Sequence, residues 1–329
     1  MSVKDQVLDI LQRNSGDHVS GQAMADELGV SRNAVWKAIN SLRSEGCKIG
    51  STTNKGYKLD EGCDAISALA IARAFAHPRP QLELAVFDEL DSTQDEAKRM
   101  IADGFRGTAA IVARHQTGGR GRRGRSFFSP SGGVYFTLLV NGNELASDAA
   151  TMTMCAAVAT SRAIEANCGC QPRVKWVNDI YVDGRKVCGI LSEGTADLES
   201  RTMHNVAIGI GVNVGEQDFP DDIADRAGFV ELLPERTRSQ LLAAIIENLL
   251  DSGVFDPAEA AGDAEAIRKR VVDEYRELSF VIGMQIEYEM GGSTHAAKAL
   301  AVEDDGGLKV LDDDGTEHVL RAGEISIRF

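Results

Sequence analysis

Apolar residues recur at helical spacing from the start of the chain, where Val3, Val7, Leu8, Ile10 and Leu11 predict a first helix ending near Asn14 and Gly16. Ser20 can cap a shorter second helix, with Ala23, Ala25 and Leu28 on its apolar side and Gly29 at the turn. Ser31 then caps a third, from Arg32 to about Ser44. Val35, Ile39 and Leu42 face inward there, and Arg32, Asn33, Trp36, Lys37 and Arg43 are left outside. Two short stretches, Cys47 to Gly50 and Gly56 to Leu59, flank a polar Ser51-to-Lys55 loop and predict a β-hairpin. Ile66, Leu69, Ala70, Ile71 and Phe75 mark a connecting helix. Leu82 to Phe87 alternates as a strand and feeds a helix capped by Ser92 or Thr93, whose acidic first turn has the capping-box pattern.

Further on, Val134 to Val140 predicts a strand, and Asp183-Gly184 between two alternating runs predicts a hairpin. In the strand Val206 to Val214, glycines alternate with apolar residues, which lets another backbone or a ligand approach closely. Leu241 to Leu250 and Ala264 to Tyr275 read as helices. From Ser279 the pattern shortens to Phe280–Ile282, Gln285–Tyr288, Ala297–Val302, Leu308–Leu311, His318–Leu320 and Ile325–Ile327, and predicts a small SH3-like β-barrel. The expected architecture is α+β and multidomain: a winged helix-turn-helix over 1–62, a central mixed sheet with helices over 63–277, and the small barrel over 278–329.

The length of 329 residues agrees with that division, since domains commonly run to roughly 100–200 residues. Hydrophobic residues at 43% and charged ones at 26% exclude disorder as the main state. The net charge of −15 argues, as a whole-chain number, against a protein that coats nucleic acid or anionic membrane. Split along the chain it says something else: residues 1 to 60 sum to +1 and the remainder to −16. Cys47, Cys63, Cys155, Cys168, Cys170 and Cys188 lack the spacings of a zinc site or a disulfide framework and read as reduced structural cysteines. Without a signal peptide or a long apolar run, a cytoplasmic protein with no membrane partner is expected.

Three small helices and a hairpin resemble a winged helix-turn-helix, whose third helix enters the major groove while the hairpin tip touches the backbone. Ser31, Arg32, Asn33, Trp36 and Lys37 on that helix, and Lys55 at the wing, are the candidate DNA contacts. A packing module, or a winged helix used for protein contacts, reads the same pattern without DNA.

The densest chemistry lies in Gly118-Gly119-Arg120-Gly121-Arg122-Arg123-Gly124-Arg125. Gly119, Gly121 and Gly124 satisfy G-x-G-x-x-G, but that fingerprint needs a helix opening at the third glycine and an acidic residue about 20 positions on. Here Ser126 to Pro130 leads into a strand, so a dinucleotide fold is rejected. Four arginines in six residues repel one another unless an anion lies among them; an exposed loop or a nucleic-acid patch is the alternative. In the second cluster, Lys175-Trp176-Val177-Asn178-Asp179 precedes the hairpin that carries Arg185-Lys186. The hairpin places Asn178 and Asp179 near one strand start and Lys186 near the other. Asp179 could coordinate Mg²⁺, and Lys175 or Lys186 could neutralise a carboxylate or phosphate.

In order, Asp91-Ser92-Thr93-Gln94, Gln116 with Gly119 to Arg125, Lys175-Trp176-x-Asn178-Asp179, Arg185-Lys186-x-x-Gly189-Ile190-Leu191 and Gly209-x-Gly211-x-Asn213 resemble the biotin-protein ligases. With the helix-turn-helix in front, the whole chain resembles the bifunctional ligase and biotin operon repressor family. Members usually have proline where Val177 stands and often tryptophan where Phe127 stands. The resemblance implies a class II synthetase-like ligase domain that forms biotinyl-5′-AMP from biotin, ATP and Mg²⁺. The biotinyl group then passes to a lysine of a biotin carboxyl carrier protein. It implies biotin contacts at Ser92, Thr93, Gln94, Gln116, Arg120, Gly121, Arg122 and Lys186, and adenylate contacts at Arg120, Arg122, Arg125, Phe127, Asn178, Asn213 and Arg328. Arg122, Lys186 and Asp179 are the implied catalytic groups. Operator DNA and a homodimer promoted by biotinyl-AMP are the further partners it implies. A ligand-sensing transcription factor without catalysis, and a ligase for lipoate or another acyl acid, are the alternatives.

Overall fold

The computed structural model describes every residue except 1, 15, 45–46, 61–63, 146–148, 198–201, 256, 322, 324 and 328–329. The chain forms two compact units, one of residues 1–79 with 232–244 and one of 80–231 with 245–329.

In the first unit, α1 (Val3–Arg13), α2 (Gly21–Leu28) and α3 (Arg32–Ser44) start where side-chain oxygens satisfy their free N–H groups. Ser20 accepts from Ala23 N at 2.9 Å and Ser31 from Ala34 N at 3.1 Å. Gly29 ends α2 in the left-handed conformation. Leu8, Leu11, Met24, Val35, Ile39 and Leu42 form the shared core. The hairpin is β1 (Ile49–Thr52) and β2 (Gly56–Leu59), so its first strand begins two residues later than the pattern predicts and its tip shortens to 53–55. Cys47, expected in the strand, is buried in the core, and its N–H closes onto Leu42 O. Gly56 needs its positive φ of 102° and its missing Cβ, which would lie 2.2 Å from Val19 O. Arg43, expected outside, holds the wing: Nε and Nη2 donate to Ile49 O at 2.9 and 2.7 Å. Downstream, α4 (Ala68–Ala74) is capped by Ser67, and Asp64 accepts from the Arg238 guanidinium at the head of α7 (Arg238–Leu250).

The second unit is built on a seven-stranded sheet of order β3-β4-β5-β9-β8-β7-β6. Its strands are β3 (Leu82–Leu90), β4 (Gly107–Gln116), β5 (Val134–Leu145), β6 (Arg173–Lys175), β7 (Asp179–Val182), β8 (Arg185–Asp197) and β9 (Thr202–Val212). Only β3 and β4 pair in parallel, with α5 (Thr93–Ala102) as their crossover. Strand alternation sorts the two faces. Ala109, Ile111, Leu139 and Ala207 pack with Ala97 of α5, while Ser192 of β8, one residue out of phase, meets Thr153 of α6 (Ala149–Cys168). Asp183 and Gly184, both at positive φ, make the tight β7–β8 turn.

After α8 (Pro257–Leu278), the chain closes with β10 (Gln285–Met290), β11 (Ser293–Val302), β12 (Leu308–Asp312), β13 (Glu317–Leu320) and β14 (Ile325–Ile327). These form one antiparallel sheet of order β13-β12-β11-β10-β14. The predicted closed barrel is not found among the described residues: β13 pairs only with β12, and the three-residue β14 only with β10. Phe280 to Ile282 is not a strand either, because Phe280 N bonds Val174 O and its ring packs on Tyr181. No helix among the described residues is long and apolar enough to cross a membrane.

Candidate functional site

Two rows of the large sheet make the floor of a cleft of about 350 Å³. Tyr135, Gly211 and Gly189 are aligned across β5, β9 and β8, and so are Thr137, Gly209 and Leu191. The ring of Phe127 lies on the first row, 6.4 Å from the Tyr135 ring in an edge-to-face contact. A Cβ at Gly211 would come within 2.4 Å of that ring, and one at Gly189 within 2.9 Å. The group that needs the alternating glycines is therefore a side chain of the protein itself. Over the second row sits Gln94, 2% exposed, which donates to Leu191 O and Ala207 O and accepts from Thr137 Oγ1.

The strand-to-helix turn 91–94 is fixed from three sides. Asp91 accepts from Ser92 N and from Arg99, which holds its carboxyl down to about 2 through hydrogen bonds from Arg99 and Ser92. Ser92 caps α5 by accepting from Gln94 N. The reciprocal capping box does not form, because Asp95 turns to Arg120 at 2.7 Å and Glu96 to Arg99. Thr93 donates through N and Oγ1 to Gln116 Oε1, and Gln116 Nε2 donates to Ser129 Oγ. Ser129 completes the brace without any signal in the sequence.

Above this floor the glycine-arginine segment folds back on itself: Phe127 N donates to Gly119 O and Gly121 N to Arg125 O. A 3₁₀ turn at Arg122–Gly124 puts Arg123 in the left-handed region. Protein acceptors relieve the expected repulsion at Arg120 and Arg122. Arg120 has Asp95, and Arg122 Nη1 donates to Asn178 Oδ1 at 3.1 Å and to Gly323 O at 3.2 Å.

On the far wall, Trp176 is 4% exposed and donates to Gly306 O, while buried Tyr275 donates to Val177 O. These two anchors hold the segment that carries Asn178 and Asp179. Asn178 Nδ2 bonds Ile190 O, and Lys186 Nζ lies 2.7 Å from Asp179 Oδ1. Asn213, which lines the cleft, donates to Gly228 O, and its buried Oδ1 has no hydrogen-bond partner among the described residues. Burial, then the nearby Asp179 carboxylate, pushes the Tyr181 hydroxyl up to about 12, and burial pushes the Cys188 thiol well above its ordinary range. Both stay protonated at neutral pH and offer neither a base nor a nucleophile.

The described lining therefore carries six cationic side chains, Arg120, Arg122, Arg125, Lys175, Lys186 and Arg226, against one carboxylate, Asp179. That is an anion site in a chain of charge −15. Ser92, Thr93, Gln94, Gln116, Gly121, Phe127, Asn178 and Asn213 line it as well. Arg328 lies outside the described residues. Arg226 and Gly323 are additions the sequence reading did not supply; a lone arginine after Asp221, Asp222 and Asp225 was the available signal for the first. In the first unit, Ser31, Arg32, Asn33, Trp36 and Lys37 are exposed along α3, and Lys55 is exposed at the hairpin tip.

Residues 86–213 match the model of the Biotin/lipoate A/B protein ligase family, and residues 3–58 match an HTH domain. The chain is 30% identical over 324 residues to the bifunctional ligase/repressor BirA of Bacillus subtilis (strain 168), with 98% of each chain covered. Against the protein of the same name from Escherichia coli (strain K12) it is 27% identical over 321 residues, covering 95% of this chain and 94% of that one. The biotin protein ligase from Aquifex aeolicus in complex with biotin and ATP superposes with a TM-score of 0.59 at 27% identity, covering 75% of this chain and 98% of that chain.

Proposed function

The chain belongs to the bifunctional biotin ligase/repressor family, and on that footing we propose that its cleft joins biotin to ATP and hands the biotinyl group to a carrier protein. A carboxylate oxygen of biotin attacks the α-phosphorus, the bond to pyrophosphate breaks, and biotinyl-5′-AMP is left in the cleft. The amine of an acceptor lysine on a biotin carboxyl carrier protein then attacks the acyl carbon, AMP departs and the amine loses a proton. Six cations against one carboxylate carry this reading, since two anions must be brought within bonding distance.

The residues divide by chemistry. Ser92, Thr93, Gln94 and Gln116 form the polar end of the cleft, where the turn and its hydrogen-bonded brace set the shape that receives the biotin ring system. Arg120, Gly121 and Arg122 close over it, and Lys186 meets the carboxylate. Phe127 offers a face to adenine. Asn213 Oδ1 can accept from the adenine amine, and Asn178, Arg122 and Arg125 attend the phosphate. Mg²⁺ is commonly held by one or two carboxylates and completed by phosphate oxygens and water, so Asp179 fits as its protein ligand and Mg²⁺ would draw charge from the phosphates. Asp179 also keeps Lys186 in place, and no protein nucleophile is required.

The helix-turn-helix makes the protein a repressor as well, with biotinyl-AMP as the signal and a homodimer as the form that binds the operator. Residues 1–62 serve DNA, 63–277 catalysis, and the C-terminal sheet over 278–329 is read as SH3-like; the protein works in the cytoplasm. Biotin-dependent exchange of labelled pyrophosphate into ATP tests the enzyme. Exchange should need biotin and disappear in Lys186→Ala. Exchange that ignores biotin, or that answers to lipoate instead, would remove the substrate assignment.

A further inference from the structure

Of the two tryptophans in the chain, Trp176 is buried and hydrogen-bonded, whereas Trp36 is 53% exposed on α3. The core side of α3 is marked by buried Val35, Ile39 and Leu42, so Trp36 stands on the outward side. Arg32 and Trp36 share one line of the helix, and Asn33 and Lys37 the next, at i,i+4 spacing. All four are exposed. A large apolar ring kept in water between cationic and amide side chains fits a surface that is covered only when a polyanion docks.

Building on the repressor reading above, we propose that Trp36 is a specificity-determining residue that packs against the 5-methyl group of a thymine in the operator's major groove. An indole ring has no charge to offer a phosphate. Among base edges the major groove presents one apolar group, the thymine methyl, while Asn and Arg suit the purine edges. The cations Arg32, Lys37 and Lys55 supply attraction without sequence, and Trp36 supplies preference.

The test uses the full chain with biotin and ATP present. Duplexes are selected from a randomised library, then remade with deoxyuridine replacing single thymidines, which removes the methyl and leaves pairing intact. One thymidine per half-site should lose about fourfold in affinity, the value of one buried carbon. In Trp36→Ala that thymine-to-uracil ratio should fall to one while the salt slope stays unchanged, because no charge was removed. Emission should change on adding the selected duplex to the wild-type chain and not to Trp36→Phe. The uracil series on the wild-type chain needs no variant and so does not depend on how a substitution folds. If no thymidine is sensitive, or if the sensitive one keeps its ratio in Trp36→Ala, the inference falls and the repressor reading stands. Failure to select any duplex overturns both.

Discussion

The cleft owes its shape to the absence of side chains as much as to their presence. Phe127 can lie on the sheet only because Gly211 and Gly189 leave room for it. Gly211→Ala should lift the ring and raise the KM for ATP at least tenfold in pyrophosphate exchange, with a stability loss within the range of about 1–3 kcal/mol for overpacking. Arg122 ties the glycine-arginine loop to Asn178 and Gly323, so Arg122→Gly should free the loop and let biotinyl-AMP escape. A stopped reaction should then show most of the adenylate in solution, and unchanged retention would count against a closing loop. Asp91 is held at about 2 by Arg99. A depressed carboxyl contributes stability above its unfolded value near 4 and loses it as pH falls from there toward 2. The advantage of the wild-type chain over Asp91→Asn in thermal melting should therefore be flat from pH 8 to about 5 and shrink below about 4. Because Asp91 is exposed, the effect is small. At this scale the sequence was unusually informative. Every cleft residue it nominated within the described part lines one cavity: the charged and glycine residues stood out by type, and Ser92, Thr93, Gln94, Gln116, Phe127, Asn178 and Asn213 came with the family resemblance. Ser129, Thr137 and Tyr135 were not conspicuous: they act by touching residues far away in sequence, and an ordinary serine, threonine or tyrosine carries no mark of that.

Elements with one apolar face were legible, as was the buried strand run Val134 to Val140 with its β-branched and aromatic residues, while the buried helix α6 was not. The amphipathic α1 and α3 follow from their spacing, and α5 from its cap and acidic first turn. Helix α6 left no predicted helix, since thirteen of its twenty residues are buried and periodicity needs a polar face to contrast with. Ile164 in its second half is fully buried, and Ile164→Ala should lower stability by about 2–5 kcal/mol in denaturant titration, as large-to-small core substitutions do. A cost under about 1 kcal/mol would mean that α6 is not a core helix. The first wing strand began two residues late for a related reason. Cys47 alternates correctly for a strand but is drawn into the three-helix core, which local pattern cannot reveal. Arg43 looked like a surface cation and turned out to hold the wing, because its acceptor is a backbone carbonyl and not a side chain that could be read.

At the scale of the molecule, charge is distributed against its own average. The chain carries −15, yet the cleft gathers six cations to one carboxylate, and residues 1 to 60 are nearly neutral. So little excess positive charge on the DNA-binding segment predicts weak, salt-sensitive operator binding by one copy. Adding biotin and ATP should raise the dimer fraction in sedimentation and operator affinity in step with it. Operator binding that is tight without adenylate, or a chain that stays monomeric when saturated with it, would separate repression from the ligase's product. By itself the sequence determined the helix-turn-helix, the anion-binding chemistry and the family, because those rest on local spacing and on residue type. Only the tertiary structure decided that the glycines of β8 and β9 seat Phe127, that Asp95 and Gly323 hold the arginine loop, and that the last sheet is open in its pairing among the described residues. Each of these joins residues distant along the chain, and such a partnership is settled by packing and hydrogen-bond geometry that no local pattern encodes.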